Sequence, residues 1–374
     1  MTAKKKILLS ARDPGAVGSI RALLILFRQN PLYTIQLVAS GVAAKILKEQ
    51  GERPIVFSLQ NQRDNIDPQR EDTQPLLLAA ENLLQKIRPD IVITSLSSFG
   101  VGIDEALLAT AKVPTYALQD FWGDVNLGLG VAADLYLTID NFAVNLTKRL
   151  WSVAAKAVGA PKYSLYNRLD IPEMRQKSRK LCDIDSDKKI ISWFGQSPEI
   201  PGHEETFLSL IQALKKLDHP FCLLLREHPK FLQAKNKHIA MSQKLGIECY
   251  DATNKKSTED WLVASDLVIT PFSLCGLDHA HLSAYSPTPL GSVLYMMTEP
   301  QVRSFAKGYS GILKFPIVDD GIGCYLDDNK PEKILEALSS SLETKTVLRY
   351  FQNSKAMVKK FDFTHFLDII NKSN

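Results

Sequence analysis

The stretch Leu223-Leu224-Leu225-Arg226-Glu227-His228-Pro229-Lys230 decides how this chain is organised. Its apolar first half has the length and composition of a buried strand, and the charged residues that follow end that strand. Pro229 has no backbone N–H with which to continue a sheet ladder. The stretch therefore places Arg226, Glu227 and His228 at the carboxyl end of a buried strand, where parallel α/β sheets bind their ligands.

A second stretch of the same design is Asp266-Leu267-Val268-Ile269-Thr270-Pro271-Phe272-Ser273. If both strands belong to one parallel sheet, their carboxyl ends lie at the same edge, and we expect His228 and Ser273 to emerge there together. The loop Gly195-Gln196-Ser197 follows another predicted strand, over residues 189–194, and is expected at the same edge.

The rest of the chain alternates predicted strands with predicted helices, which is typical of a parallel sheet covered on both faces. We predict an α/β protein of the following class: two Rossmann-like, doubly wound parallel-sheet domains that face a cleft, with a C-terminal helical tail. The predicted bounds are residues 1–160 for the first domain, 161–188 for a linker, 189–343 for the second domain and 344–374 for the tail.

The composition is that of a soluble globular protein. The 374 residues are 45% hydrophobic and 23% charged, and a net charge of +4 is too small to indicate a nucleic-acid partner. Five cysteines without a C-x-x-C pair predict reduced thiols. The apolar segment after Lys6 ends at Arg12-Asp13-Pro14, too early for a signal-peptide core. We expect a cytoplasmic protein, and peripheral association with the inner face of the membrane stays open.

The chemistry predicted for the second half is recognition of an anion. Ser273 precedes a helix predicted over residues 274–284, and its hydroxyl and the backbone N–H groups of a helix start bind phosphate well. An imidazole such as that of His228 donates a hydrogen bond, or a proton when charged, near neutral pH. Donors of this kind stabilise the negative charge that develops on a departing phosphate.

In the first half, acidic residues follow two predicted strands. Asp13 lies in the loop Ala11-Arg12-Asp13-Pro14-Gly15, and Asp120 lies in the loop Gln119-Asp120-Phe121-Trp122. A carboxylate at the end of a strand can accept the proton of an attacking hydroxyl group. We predict Asp13 as this base, with Asp120 as the competing candidate.

Each of these residues also has a structural interpretation. Arg226 and Glu227 would be solvated neighbours of a strand end, and Ser273 would be an ordinary helix N-cap. The sequence Asp13-Pro14-Gly15 is well suited to a turn. Asp120 and Trp122 would form a structural hydrogen-bonded pair.

The sequence Asp278-His279-Ala280-His281 raises the question of a metal site. Histidines two residues apart point to different faces of a helix, so further ligands would be needed, and the sequence identifies none. We interpret these histidines as residues of a helix surface or of the edge of a cleft. No metal site is predicted.

The predicted architecture resembles that of the GT-B glycosyltransferases. The residues 226–229, followed after one intervening unit by 266–273, are similar to the His-Pro and Ser motifs of one group of these enzymes, which includes bacterial sialyltransferases, capsule polysaccharide transferases and CDP-glycerol-type transferases. The loops at residues 11–15 and 119–122 resemble acceptor-side loops of the same superfamily. A serine pair is replaced here by Ser273 and Leu274, and the first half lacks an acidic-acidic-glycine loop, which argues against sialic acid as the donor sugar.

The resemblance implies a glycosyltransferase that needs neither a metal nor a cofactor and moves a sugar from a nucleotide-activated donor, with a cytidine type favoured. The implied acceptor is a surface glycan, a lipopolysaccharide or a capsule. Two alternatives stay open: an epimerase of the UDP-N-acetylglucosamine 2-epimerase kind, and a catalytically silent module that binds a glycan or a partner protein. The implied roles are catalysis by Asp13, His228 and Asp120, donor binding by Gly195, Gln196, Ser197, Arg226, His228, Pro229 and Ser273, and acceptor contact by Gly15 and Trp122.

Overall fold

The structure is a computed structural model that describes residues 4–59, 65–96, 100–182, 188–197, 200–227, 234–253 and 255–372. The chain forms two compact units, one comprising Met1–Leu165 with Lys359–Asn374 and the other Tyr166–Val358. Each unit is built on a parallel sheet with helices packed against it. The predicted fold class, with two doubly wound α/β domains and a helical C-terminus, is confirmed.

The first unit contains a seven-stranded sheet. Its strands are β1 (Lys5–Ala11), β2 (Tyr33–Ser40), β3 (Ile55–Phe57), β4 (Ile91–Ser95), β5 (Thr115–Leu118), β6 (Leu135–Thr138) and β7 (Ala155–Ala157). Their order is β3-β2-β1-β4-β5-β6-β7, and every neighbouring pair is parallel. The strand order reverses between β1 and β4, which is where sheets of this type bind ligands beyond the carboxyl ends of their strands.

The central strand β1 is buried on both faces, as its continuous apolar sequence predicts. Ile7 and Leu9 pack into one core together with Phe27, whereas Leu8 packs into a second core on the opposite face with Val92. The period of two residues along a strand thus divides one apolar run between two cores.

Six helices among the described residues of this unit accompany the sheet. They are α1 (Pro14–Arg28), α2 (Gly41–Glu49), α3 (Gln74–Ile87), α4 (Ile103–Thr110), α5 (Asn141–Trp151) and, from the C-terminal end of the chain, α15 (Phe363–Lys372). Helix α15 contributes Phe366, Ile369 and Ile370 to the core that contains Phe27. The last helix of the chain is therefore part of the first unit.

The second unit contains a six-stranded parallel sheet. Its strands are β8 (Lys189–Phe194), β9 (Phe221–Arg226), β10 (Cys249–Asp251), β11 (Leu267–Thr270), β12 (Ser292–Met296) and β13 (Cys324–Leu326). Their order is β10-β9-β8-β11-β12-β13, and the order reverses between β8 and β11. The two stretches from which the fold was predicted, β9 and β11, lie in one sheet on either side of β8.

The helices of the second unit follow the same plan. They are α6 (Ile171–Leu181), α7 (His203–Leu214), α8 (Ala234–Lys244), α9 (Thr258–Ala264), α10 (Cys275–Tyr285), α11 (Pro300–Ser310), α12 (Pro316–Asp319), α13 (Pro331–Leu342) and α14 (Thr344–Met357). A 3-10 helix spans Pro161–Arg168. Helix α6 is fixed to the sheet because Arg175 and Arg179 each donate to the carboxylate of Asp266 over 2.8 Å.

Some elements were not predicted from the sequence. Helix α5 buries only Ala143, Leu146 and Thr147, which is too few apolar positions for a clear helical pattern. Ser152 takes a left-handed conformation (φ 56°) that ends α5, so the following strand, β7, starts only at Ala155. Within the described ranges, no helix combines the length and the hydrophobicity that crossing a membrane requires.

Candidate functional site

In the first unit, the two predicted bases lie side by side at the carboxyl edge of the sheet. Asp13 follows β1, Asp120 follows β5, and β4 separates these two strands. A Cβ atom placed on Gly15 would lie 3.6 Å from Oδ2 of Asp120 and 3.9 Å from Oδ1 of Asp13. The structure therefore brings together three of the residues that the sequence singled out.

Asp13 has a structural role at this edge. It is the N-cap of α1, and its Oδ1 accepts a hydrogen bond of 3.2 Å from the backbone N–H of Gly15. Pro14 occupies the first helical position, where its missing N–H costs nothing. The turn that was considered as an alternative is thus present, and it aims the carboxylate of Asp13 at the start of the helix.

A third acid, Asp124, belongs to the same edge, and the sequence analysis did not single it out. Burial, together with the negative charges of Asp120, Glu105 and Asp13, raises the pKa of Asp124 to about 7. Carboxyl groups that crowd together cannot all be ionised, so one of them holds a proton near neutral pH. This edge therefore offers both a proton acceptor and a proton donor.

A buried ion pair fixes the loops that carry these acids. Nε of Arg12 lies 3.0 Å from Oε2 of Glu105, the third residue of α4, and Nη2 of Arg12 donates to Oε1 over 3.2 Å. Nδ2 of Asn126 donates to the same Oε1 over 3.0 Å and to the carbonyl oxygen of Gly100 over 2.8 Å. The segments after β1, β4 and β5 are therefore connected through Glu105.

Trp122 was predicted to contact the acceptor, and the structure places its side chain inside the unit. The residue is 1% exposed, and its Nε1 donates a hydrogen bond of 2.7 Å to Oδ2 of Asp140. Asp140 also caps α5, because its Oδ1 accepts from the backbone N–H of Ala143. Trp122 thus anchors the loop of Asp120 to the start of α5.

In the second unit, the loops after β8 and β11 are joined at the carboxyl edge. Oε1 of Gln196 accepts a hydrogen bond of 3.1 Å from the backbone N–H of Phe272. The carbonyl oxygen of Ser197 accepts from the N–H of Ile200 over 3.1 Å. The side chain of Gln196 therefore links the loop 195–197 to the loop that ends in Ser273. His228 and Pro229 lie outside the described residues, so their predicted roles stay predictions.

Ser273 lies two residues before the first residue of α10, which starts at Cys275 rather than at the predicted Leu274. Its Oγ accepts a hydrogen bond of 3.2 Å from the N–H of Cys275. A hydroxyl group that accepts in this way still has its own hydrogen to donate. Asp278 lies in the first turn of the same helix and is half-buried.

Arg226, predicted to bind the donor phosphate, is used to hold the segment between β10 and α9. Its Nη1 donates to the carbonyl oxygen of Lys256 over 3.2 Å, and its Nη2 donates to Oγ1 of Thr258 over 3.0 Å. Burial lowers the pKa of the Arg226 guanidinium from its ordinary value. The guanidinium group therefore has partners within the protein.

The interpretation of Glu227 as a solvated neighbour is wrong. Glu227 is 2% exposed, and its Oε1 lies 2.5 Å from Nδ1 of His238 in α8. The residue follows the last position of β9, and its side chain enters the interior, where a histidine from a later helix provides the polar partner that a buried carboxyl group requires.

The interpretation of His279 and His281 as residues of a helix surface is also wrong. They are 0% and 4% exposed, because eight of the eleven residues of α10 are buried. Nδ1 of His279 lies 2.9 Å from Oη of Tyr350, and burial lowers the pKa of His279 to about 3. Among the described residues, no three histidine, cysteine or acidic side chains are grouped so that they can hold a metal ion.

No protein family and no curated protein matches the chain by sequence. Solved structures do match it over nearly its whole length. A putative UDP-N-acetylglucosamine 2-epimerase from Listeria monocytogenes is 14% identical with a TM-score of 0.66, covering 96% of this chain and 92% of that one. A glycosyltransferase from Rickettsia africae is 15% identical with a TM-score of 0.61, covering 95% and 93%.

A third similar structure is Anabaena HepE in complex with UDP and glucose. It is 15% identical with a TM-score of 0.62, and the match covers 99% of both chains. At these identities the similarity shows the fold alone. The chain has the GT-B type of fold, in agreement with the resemblance seen in the sequence.

Proposed function

We propose that the protein is a glycosyltransferase that moves a sugar from a pyrimidine nucleotide to a glycan acceptor. The observation that carries this proposal is the chemistry of the two sheet edges. One edge gathers Asp13, Asp120 and Asp124, and the other gathers amide and hydroxyl groups around Gln196 and Ser273. Glycosyl transfer needs a group that accepts the acceptor's proton and groups that stabilise the departing phosphate.

The second unit supplies the donor site in this proposal. In the loop Gly195-Gln196-Ser197, Gln196 and Ser197 contribute backbone N–H and side-chain donors, and Gly195 lets the loop pass close to its neighbours. The hydroxyl of Ser273 donates to a phosphate at the start of α10. Asp278, in the first turn of that helix, accepts from the ribose hydroxyl groups, as an acidic residue does in other doubly wound folds. His228, predicted from the sequence alone, protonates or hydrogen-bonds the departing phosphate.

The first unit supplies the base. Asp13, with Asp120 as the competing candidate, accepts the proton of the attacking hydroxyl group. The pKa of Asp124, raised to about 7, leaves part of this group protonated near neutral pH, which reduces repulsion among the acids. Asp13→Asn and Asp120→Asn, compared for the rate of transfer, identify which of the two residues is the base.

The donor and the acceptor are assigned by class. The sequence motifs favour a cytidine nucleotide, whereas similar solved structures are described with UDP or a UDP sugar, and both are pyrimidine nucleotides. The acceptor that we propose is a surface glycan, a lipopolysaccharide or a capsule polysaccharide. No metal ion or cofactor takes part in the proposed reaction.

One observation favours a second function, epimerisation of a nucleotide sugar. Several carboxyl groups with different tendencies to ionise suit the removal and return of a proton at a sugar carbon. The similar Listeria structure is described as a putative epimerase. An epimerase changes UDP-N-acetylglucosamine without an acceptor, so NMR spectra of the sugar incubated with the protein alone test this reaction directly.

The proposed function is tested by thermal unfolding with CMP, CDP, UDP, GDP, TDP and ADP, each at millimolar concentration and without metal. A ligand that binds the folded state raises the midpoint by mass action. We expect a rise with cytidine or uridine nucleotides only, and a smaller rise for Ser273→Ala and His228→Ala. Ser340→Ala, which removes a hydroxyl at the end of α13, is the control and keeps the full rise.

The outcomes separate the candidate functions. A rise with CMP or CDP supports the cytidine type, and a rise with UDP alone assigns a uridine donor. If no nucleotide changes the midpoint of the wild-type protein, the transferase is rejected in favour of a module that binds a glycan or a partner protein. Full transfer activity in His228→Ala would remove His228 from the mechanism.

A further inference from the structure

A buried acid–histidine pair connects two elements of the second unit. Oε1 of Glu227, the residue after β9, lies 2.5 Å from Nδ1 of His238 in α8, and the two side chains are 0% and 1% exposed. The ring of His238 packs on Phe207 with 4.2 Å between centroids. The pair therefore joins the end of β9 to α8 and, through Phe207, to α7.

The other oxygen of Glu227 lies against the predicted donor loop. A Cβ atom on Gly195 would lie 2.2 Å from Oε2 of Glu227 and 3.3 Å from Nε1 of Trp193. This is closer than atoms can approach, so only glycine fits at position 195 while Glu227 stays in place. Within the described residues, Oε2 of Glu227 has no hydrogen-bond partner. Oε2 of Glu227 therefore occupies the space that a side chain at position 195 would take.

The backbone around Glu227 is also fixed. Its N–H donates to Oγ1 of Thr253 over 3.2 Å, and the N–H of Gly195 donates to the carbonyl oxygen of Arg226 over 2.9 Å. The end of β9 is thus bound to Gly195 on one side and to the segment after β10 on the other. A change in the position of the Glu227 carboxylate would be transmitted to the loop 195–197.

We propose that Glu227 and His238 are positioning residues for donor binding. Their contact joins the end of β9 to α8, and the Glu227 carboxylate, which lies against Gly195, sets the position of the loop 195–197. This inference rests on the proposed function, because it assigns these loops to the donor nucleotide. Glu227 and His238 themselves are buried and do not touch the substrate.

Breaking a buried pair by changing one member strongly affects its surroundings. Glu227→Gln keeps the size of the side chain and removes the charge, and His238→Gln removes the ring nitrogen on the other side. In both variants we expect the amide of Gly195 to exchange with deuterium at least tenfold faster, measured by mass spectrometry without nucleotide. We also expect the dissociation constant of the nucleotide identified by thermal unfolding to rise by about tenfold, as for other residues that orient a binding group.

Three comparisons distinguish positioning from a loss of stability. All constants are measured at a temperature where circular dichroism shows each variant to be fully folded. KM for the donor, KM for the acceptor and kcat are measured separately for each variant. A positioning role predicts a higher KM for the donor and an unchanged KM for the acceptor. The double variant is expected to be no worse than either single variant, because the two residues act as a unit. Lys237→Gln, which breaks the exposed Lys237–Glu204 ion pair beside His238, is the control and changes none of these values.

The outcomes are decisive for each proposal separately. Wild-type exchange at Gly195 together with wild-type nucleotide affinity in Glu227→Gln would overturn the positioning role. If the wild-type protein binds no nucleotide, the proposed function fails. The exchange rate at Gly195 in Glu227→Gln then still shows whether the pair holds the loop 195–197: a faster rate supports this, and an unchanged rate contradicts it. If Glu227→Gln does not fold, Glu227→Asp, which keeps the charge but shortens the side chain by one methylene, replaces it in the same measurements.

Discussion

Nε of Arg12 lies 3.0 Å from Oε2 of Glu105, and the two side chains are only 5% and 4% exposed. This contact joins the loop that carries Asp13 to the first turn of α4. Because both charges are shielded from water, each depends on the other for its neutralisation. The pair therefore fixes the edge of the first sheet, and the loss of either residue is expected to destabilise this edge.

We expect Glu105→Ala to lower the free energy of unfolding by about 3–5 kcal/mol, because it leaves the guanidinium group of Arg12 buried without its carboxylate. Urea unfolding followed by tryptophan fluorescence measures this change. Glu49→Ala is the matched control, since Glu49 pairs with Lys45 in α2 while the two side chains are 62% and 78% exposed. An exposed pair of this kind contributes at most about 0.5 kcal/mol. A similar loss in both variants would show that the burial of the Arg12 pair has no energetic consequence.

The stability of the first unit is expected to fall as the pH rises from 4 to 8. Burial raises the pKa of Asp104 and of Asp124 to about 7, from an ordinary value of 3.8. Between these values the folded protein holds protons that the unfolded chain has released, so the free energy of unfolding decreases with rising pH. Well below pH 3.8 the groups are protonated in both states and contribute no dependence.

Asp124→Asn isolates the contribution of one of these acids. Because an amide does not ionise, we expect the variant to match the wild-type protein at pH 4 and to be more stable by about 1 kcal/mol at pH 8. Urea unfolding at the two pH values measures the difference. Asp368→Asn, at an exposed position of α15, is the control and is expected to show no such dependence on pH. An equal effect of Asp124→Asn at pH 4 and pH 8 would contradict the raised pKa.

The sequence predicted what depends on local patterns. Continuous apolar runs such as 221–225 and 267–270 identify buried parallel strands, and the polar residues after them mark the ligand-binding edge. That rule singled out Asp13 and Asp120 separately, whereas their proximity depends on the strand order, which the structure provides. These signals lie within a few residues of one another, so a single sequence contains them.

The sequence did not predict what depends on distant partners. Glu227 was interpreted as solvated because its partner, His238, belongs to a later helix. His279 was assigned to a surface because Tyr350, 71 residues further along, is what accommodates its ring. The raised pKa of Asp124 arises from burial and from acids that follow three different strands. In each case the side chain's environment is set by tertiary packing, on which the local pattern carries no information.

The C-terminal helix provides the last prediction, because its apolar face completes the core of the first unit. Phe366 is 0% exposed, and its ring lies 6.0 Å from that of Phe27 in α1. Oη of Tyr116 in β5 donates to the carbonyl oxygen of Ile370 over 3.3 Å. We expect Phe366→Ala to lower the free energy of unfolding by about 3–5 kcal/mol, as for other buried phenylalanines. Hydrogen exchange should accelerate at the amides of β1 and stay unchanged at those of β8, whereas Phe351→Ala, a half-buried control in α14, should leave β1 unaffected. Unchanged exchange in β1 of Phe366→Ala would mean that the first unit is stable without this part of the chain.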